Sequence, residues 1–94
     1  MLSFDIPRSA VVILDQLSVE GPMSPKQIAT RSNIPARTVS FALRTLIKEK
    51  LCRKVPNLMD MRQPKYHVND DRVKDCSAHL DRLRVELGVQ LKHV

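Results

Sequence analysis

The 94-residue sequence has few glycines, cysteines and aromatic residues, and each shortage excludes a class of site. Its two glycines, Gly21 and Gly88, cannot build a glycine-rich phosphate-binding loop. Its two cysteines, Cys52 and Cys76, are too few for a disulfide framework and lack the spacing of a metal site, and the three histidines are scattered. The sequence also has no nucleophile–base pair or carboxylate pair. It therefore predicts that the protein is not an enzyme and holds no metal or cofactor.

Long apolar runs are also missing. No stretch approaches the ~20 apolar residues of a transmembrane helix, and the N-terminus lacks the basic start, apolar core and cleavage site of a signal peptide. A charged fraction of 28% with ordinary apolar content is typical of a folded globular chain. We therefore expect a cytoplasmic protein of one domain with room for an appended element, and no membrane partner.

Acidic residues are scarce in the middle of the chain, where the net charge of +6 is concentrated. Residues 24–67 hold ten basic residues against only Glu49 and Asp60, a balance of +8. The preceding segment holds one basic and three acidic residues, and the following segment holds equal numbers of each sign. One basic stretch of this size is typical of a face that binds a polyanion.

Residues 24–50 have the pattern of two helices joined by a tight turn at residues 33–35. Ser24 can cap the first helix, with Gln27 completing a capping box. The second helix spans residues 36–50, and its apolar stripe is Val39, Ala42, Leu43, Leu46 and Ile47. Its opposite face carries Arg37, Ser40, Phe41, Arg44 and Lys48. This is the helix-turn-helix arrangement, in which the second helix enters the DNA major groove.

The flanking segments complete a winged helix. Residues 7–19 predict a first helix, although the run VVIL alone also fits a buried strand, and Met23 is a candidate for a very short strand before Ser24. After the second helix of the pair, residues 51–55 alternate as extended chain, a turn-rich segment follows, and residues 65–68 predict a returning strand. This β-hairpin presents residues 56–65, which we call the wing. The predicted fold class is mainly α, an α+β winged helix.

Residues 8–69, about two thirds of the chain, resemble winged-helix regulators of the MarR family. The small and polar run at residues 35–40 is similar to one in the family's third helix. The wing has the family's Asp-x-Arg pattern, followed by alternating apolar residues and a polar cap: Asp60, Arg62, Tyr66, Val68 and Asn69. The resemblance implies that Arg62 enters the minor groove while Asp60 holds its guanidinium group. A narrow minor groove concentrates negative potential, which favours an arginine there.

Three features depart from the family pattern. Pro64 stands where basic residues are usual, and Phe41 stands where a polar residue is commoner. Phe41 could contact a thymine methyl group, pack under the wing or meet a protein partner. The chain also lacks the longer N-terminal extension and the second C-terminal helix of larger members, so we expect neither a ligand pocket of their kind nor a small-molecule effector.

Residues 70–94 have the spacing of one long helix, capped by Asn69. Apolar residues recur at alternating intervals of three and four, which is a coiled-coil seam of about three heptads. The helix could instead pack back on Val11 and Val12, but a seam about 37 Å long is hard for so small a domain to cover. We therefore predict a two-chain coiled coil, parallel or antiparallel. The predicted dimerisation residues are Val11, Val73, Cys76, Leu80, Leu83, Leu87, Leu91 and Val94.

These patterns predict a winged helix-turn-helix domain over residues 1–69 and a long dimerisation helix over residues 70–94. The predicted function is that of a homodimeric, sequence-specific transcriptional regulator bound to double-stranded DNA of the nucleoid. A low-specificity architectural DNA-binding protein and a protein-interaction winged helix are the alternatives. Phosphate contacts would position the protein and base contacts would specify the site. The predicted DNA-contacting residues are Lys26, Pro35, Ala36, Arg37, Thr38, Ser40, Phe41, Arg44, Lys48, Arg53, Lys54, Asp60, Arg62 and Lys65.

Overall fold

The computed structural model describes residues 6–89. Five helices and two strands follow one another in this part of the chain: α1 (Arg8–Glu20), α2 (Pro25–Ser32), α3 (Ala36–Lys48), β1 (Cys52–Val55), β2 (Lys65–Val68), α4 (Asp70–Asp75) and α5 (Ser77–Leu87). This order is the predicted α+β winged helix. The bounds of the first five elements agree with the predicted ones to within two residues.

The helix α1 lies at the centre of the core. It ends at Gly21, whose positive φ of 90° favours glycine and whose N–H donates to the Leu17 carbonyl at 2.9 Å. It packs against α2, α3, α5 and β2, so it is covered on several sides. The VVIL run is helical. Its apolar residues cover more than one side of the helix because α1 contacts other elements on several sides. The buried side chains of α1 are Ala10, Val11, Ile13, Leu14 and Leu17.

The helix-turn-helix has the predicted capping box and turn. The Ser24 N–H donates to the Gln27 side-chain oxygen at 2.9 Å, and the Gln27 N–H donates to the Ser24 hydroxyl at 3.3 Å. Asn33 takes a left-handed conformation, with φ of 57°, between α2 and α3. Ile47 was predicted on the buried stripe of α3 but is 37% exposed, because it lies at the edge of that stripe on the helical wheel. The buried residues of α3 are Val39, Ala42, Leu43 and Leu46.

The hairpin is fixed to the helix-turn-helix at both of its edges. Met23, just before α2, exchanges two backbone hydrogen bonds of 2.8 and 3.3 Å with Tyr66 of β2, so the predicted short strand is a single bridge. On the other side, the Asn69 side-chain amide donates to the Lys50 carbonyl at 3.0 Å. The antiparallel register places Cys52 opposite Val68, Arg53 opposite His67, Lys54 opposite Tyr66 and Val55 opposite Lys65.

The C-terminal segment differs from the predicted single helix. It forms two helices, α4 and α5, which meet at Cys76. Cys76, Leu80 and Leu83 are 1%, 0% and 7% exposed and share one core with Val11. Val73 and Leu87 pack against that core and are partly buried. Leu91 and Val94 lie outside the described residues.

The expectation of one continuous helix in this segment is therefore wrong. The helix is not continuous, because the backbone departs from helical geometry at Cys76, where φ is −102° and ψ is 10°. The seam residues Cys76, Leu80 and Leu83 are buried within this chain, where α5 packs against α1, and the pairing of two chains through this segment stays a prediction. A small domain can cover these side chains when the helix that carries them is divided.

An ion pair fastens α5 to α1. The Arg84 Nε and Nη2 donate to the two carboxylate oxygens of Asp15 at 3.1 and 2.6 Å, and Nη1 donates to Asp81 at 2.7 Å. The Arg84 and Asp15 side chains are only 15% and 20% exposed. The hydrogen bonds that Arg84 donates to Asp15 raise the pKa of Arg84 above its usual value, so the guanidinium stays charged. This two-pronged contact holds the C-terminal helix against the helix-turn-helix core.

The described residues offer few reactive groups. Within residues 6–89, no group of three or more His, Cys, Asp or Glu side chains is placed to hold a metal ion. No helix in this part of the chain is long and apolar enough to cross a membrane. Both cysteines are buried free thiols, and burial raises the pKa of Cys52 to about 12. The Cys52 thiol is therefore protonated at neutral pH and is a poor nucleophile.

Candidate nucleic-acid interface

One face of α3 is exposed along its whole length. Its residues fall within an arc of about 100° around the helix axis, so they share one side of the helix, and all of them are exposed. Phe41, at the middle of this face, is 52% exposed. We call this surface the recognition face, and it consists of Arg37, Ser40, Phe41, Arg44 and Lys48.

Three other residues of α3 and its start were predicted to contact DNA. Pro35 and Ala36 are exposed at the first turn, next to the recognition face. Thr38 is different: it is half-buried and lines a groove with α1 and α5. It lies about 100° around the helix from Arg37, so it is not brought together with the recognition face.

The wing consists of two consecutive hydrogen-bonded turns that share Asp60. The Asp60 N–H donates to the Asn57 carbonyl at 3.1 Å, and the Gln63 N–H donates to the Asp60 carbonyl at 3.0 Å. The Asp60 carboxylate accepts from the Arg62 N–H at 3.1 Å and from the Gln63 amide at 3.3 Å. These bonds give the wing a defined shape although it lies in solvent.

The predicted pairing of Arg62 with Asp60 is present. The Arg62 Nε lies 3.5 Å from the Asp60 carboxylate, while the Arg62 side chain is 93% exposed. So exposed an ion pair contributes little to stability. Its effect is to restrict the directions in which the guanidinium points, and this leaves the charge available to a partner.

Basic side chains surround the wing and the start of α2. Arg53 and Lys54 are exposed on β1, and Lys26 is exposed in the first turn of α2. Lys26 and Lys65 line a shallow groove of about 270 Å³ between α2 and the wing. The fold thus brings basic side chains together from three segments that are up to 39 positions apart in the sequence. These segments all lie within residues 24–67, where the net charge is +8.

Sequence reasoning missed the apolar part of the wing. Leu58, Met59 and Met61 are 88%, 94% and 69% exposed. The segment was interpreted only as a turn, although three apolar residues among four in a turn are a usable signal, because turns favour polar residues and glycine.

The ion pair between Asp15 and Arg84 was also missed, and two residues 69 positions apart give no such signal in one sequence.

A larger groove, of about 1080 Å³, lies beside α1. It is open to solvent, and the pair of Asp15 and Arg84 forms part of its wall together with Val12, Val19 and Val89. The prediction that no small-molecule effector acts on this protein stays a prediction.

The fold and the exposed groups together define a winged-helix protein with a basic recognition face. The family model of the MarR family matches residues 6–63, which is more than half of the chain. The chain therefore belongs to the MarR family, a family of winged-helix transcriptional regulators, and the predicted resemblance is confirmed. Among curated proteins, none matches this chain.

Solved structures of regulators share the fold. The adhesin competence repressor AdcR from Streptococcus pyogenes is 20% identical, with a TM-score of 0.70 over 90% of this chain and 63% of the repressor. ZitR from Lactococcus lactis is 18% identical, with a TM-score of 0.71 over 94% and 60%. FabT from Streptococcus pneumoniae, solved in complex with DNA, is 17% identical, with a TM-score of 0.68 over 89% and 59%. This chain therefore spans about 60% of the length of these structures.

Proposed function

We propose that this protein is a sequence-specific regulator of transcription that binds double-stranded DNA of the nucleoid. The observation that carries the proposal is the recognition face: five exposed residues, three of them cationic, on the second helix of a helix-turn-helix. An α-helix fits the major groove, where each base pair presents a distinct pattern of donors and acceptors. Membership of the MarR family and the DNA complex of the similar FabT fold support this function.

The proposed contacts divide by position. Arg37, Ser40 and Arg44 would bind base edges, and Phe41 would contact a thymine methyl group, because it is exposed on the same face. Lys48, Lys26, Arg53, Lys54 and Lys65 would bind phosphates. Arg62 would enter the minor groove, where the Asp60 carboxylate restricts its guanidinium before DNA arrives. Such restriction reduces the entropy lost on binding.

We also propose that the protein acts as a homodimer. A two-fold dimer would place two recognition helices one duplex turn apart, about 34–36 Å, or a multiple of that distance. Since Cys76, Leu80 and Leu83 of the predicted seam are buried within one chain, we place the proposed interface on the exposed side of α5. Val85 on α5 is 82% exposed and is the apolar residue of this helix that a partner could cover. Sedimentation of the wild type and of Val85→Glu tests this interface, and an unchanged dimer in the variant would exclude it.

Selection of bound duplexes from a random DNA pool tests the proposed function. We expect a defined consensus, and an affinity that falls steeply with salt because several phosphates are contacted. The slope of log affinity against log salt should be about −0.9 for each phosphate. The alternatives predict other outcomes: an architectural protein gives salt-dependent binding without a consensus, and a protein-interaction module gives no binding even at low salt.

Arg37→Ala then tests the orientation of α3. A bidentate contact to a base is worth about 1–3 kcal/mol of discrimination, so this variant should lose preference at one position of the consensus. Arg82→Ala removes the same charge from an exposed position of α5 and is the matched control. If both variants select the same consensus as the wild type, Arg37 does not contact a base.

A further inference from the structure

The wing presents an apolar tip that the proposed phosphate and base contacts do not explain. Leu58 and Met59 are 88% and 94% exposed, and Met61 is 69% exposed. Single exposed apolar residues are ordinary on protein surfaces, but three within four positions of one short loop form a cluster. We call Leu58, Met59 and Met61 the wing tip.

Hydrogen bonds hold the wing tip outward. Leu58 and Met59 are the two central residues of the turn from Asn57 to Asp60, and Met61 is a central residue of the turn that follows. The Met59 N–H also donates to the Asn57 side chain at 3.1 Å. These hydrogen bonds fix the backbone of the two turns, and the side chains at their central positions lie in solvent. A fixed projection loses less entropy on insertion than a mobile loop would.

The charges around the wing tip indicate what covers it. Arg62 follows Met61 directly, and Lys26 and Lys65 line the groove to which Met59 also contributes. The surface that fits is thus anionic at its rim and apolar inside. A base step between two phosphate strands has this arrangement, and proteins that bind the minor groove insert leucine and methionine between base pairs there.

We propose that the wing tip is a wedge that enters the minor groove, partly unstacks one base step and bends the bound duplex. Leu58 and Met59 would insert, while Arg62 would bind the groove beside them. This proposal rests on the proposed function, because it requires the wing to meet DNA. It adds a shape requirement: the preferred flanks should contain a pyrimidine–purine step, which unstacks and kinks readily.

The test compares the wild type with the double variant Leu58→Gln, Met59→Gln, which keeps the length of the side chains but makes them polar. Val19→Gln is the matched control, because Val19 is an exposed apolar residue, 62% accessible, on α1. Circular dichroism and thermal unfolding verify that all three proteins fold alike. Energy transfer between dyes at the two ends of the selected duplex reports bending, and 2-aminopurine placed through the flanks reports unstacking.

We expect the wild type and Val19→Gln to bend the duplex by about 20–90° and to raise 2-aminopurine fluorescence at one step. The double variant should leave the duplex straight and the fluorescence unchanged, yet keep the salt dependence of binding. A wild type that binds the selected duplex without bending or unstacking it overturns the wedge and leaves the proposed function intact. Binding to vesicles with anionic lipids, with the bound duplex straight, would likewise overturn it in favour of a lipid surface. Failure to bind any duplex would instead refute the proposed function.

Discussion

Removing the Asp60 carboxylate should weaken DNA binding, although it takes negative charge away from a surface proposed to face phosphates. The carboxylate accepts from the Arg62 N–H at 3.1 Å and from the Gln63 amide at 3.3 Å, and it lies 3.5 Å from the Arg62 Nε. Asp60→Ala abolishes all three contacts. Asp60→Asn keeps an acceptor for the Arg62 N–H but loses the charge.

Two opposing effects decide the magnitude. A carboxylate about 8 Å from a phosphate in water costs about 0.5 kcal/mol before salt screening, so its loss alone would slightly favour binding. Ordering a side chain that is free before binding costs about 0.5–1.5 kcal/mol, and Asp60→Ala frees both Arg62 and Gln63. The second effect is larger. We expect Asp60→Ala to weaken binding by about threefold to tenfold, and Asp60→Asn by less.

Fluorescence anisotropy with the selected duplex at fixed salt measures the effect. Asp75→Ala is the control, because it removes the same charge from an exposed position at the end of α4. General electrostatics predicts that both alanine variants bind slightly more tightly than the wild type. Tighter binding by Asp60→Ala, equal to that of Asp75→Ala, would refute the view that Asp60 restrains the wing.

Three further predictions concern the fold. Leu83→Glu should lower the free energy of unfolding by about 3–5 kcal/mol, because it buries an unpaired charge in the core of one chain, and a folded monomer of unchanged stability in urea would contradict this. Asp15→Ala should lower the free energy of unfolding by about 2–3 kcal/mol, because it leaves Arg84 only partly paired. Glu20→Ala breaks the exposed pair with Arg31 and should lower it by under about 1 kcal/mol. Cys52 should make stability depend on alkaline pH: its pKa rises from 9.0 unfolded to about 12 folded, so only the unfolded chain loses the proton above pH 9. Stability should therefore fall by about 1.4 kcal/mol between pH 8 and 10, and Cys52→Ala should remove this fall.

Local signals predicted the helix-turn-helix correctly. Ser24 and Gln27 form their capping box with each other, three residues apart, so one short window contains both partners. The recognition face follows from helical spacing alone, since its residues need only share one side of α3. The pairing of Asp60 with Arg62 joins near neighbours in the chain, and here the resemblance to the family supplied what spacing could not.

Long-range packing was not predictable in the same way. The seam of residues 73–87 has a coiled-coil spacing, but periodicity identifies an apolar face without saying which surface covers it. The break at Cys76 has no glycine or proline to mark it, and it changes the direction of the chain before α5, which packs against α1. The contact between Asp15 and Arg84 then depends on this packing. It could be found only once the path of the chain was known.

The affinity ratio between the selected duplex and a scrambled duplex of equal length tests the central claim most directly. At about 0.15 M salt, a regulator of this class should bind its own site at least ~10³-fold more tightly than unrelated DNA. Arg37→Ala should reduce this ratio, and Arg82→Ala should leave it unchanged. Equal affinity for the two duplexes would contradict sequence-specific recognition and would favour an architectural protein.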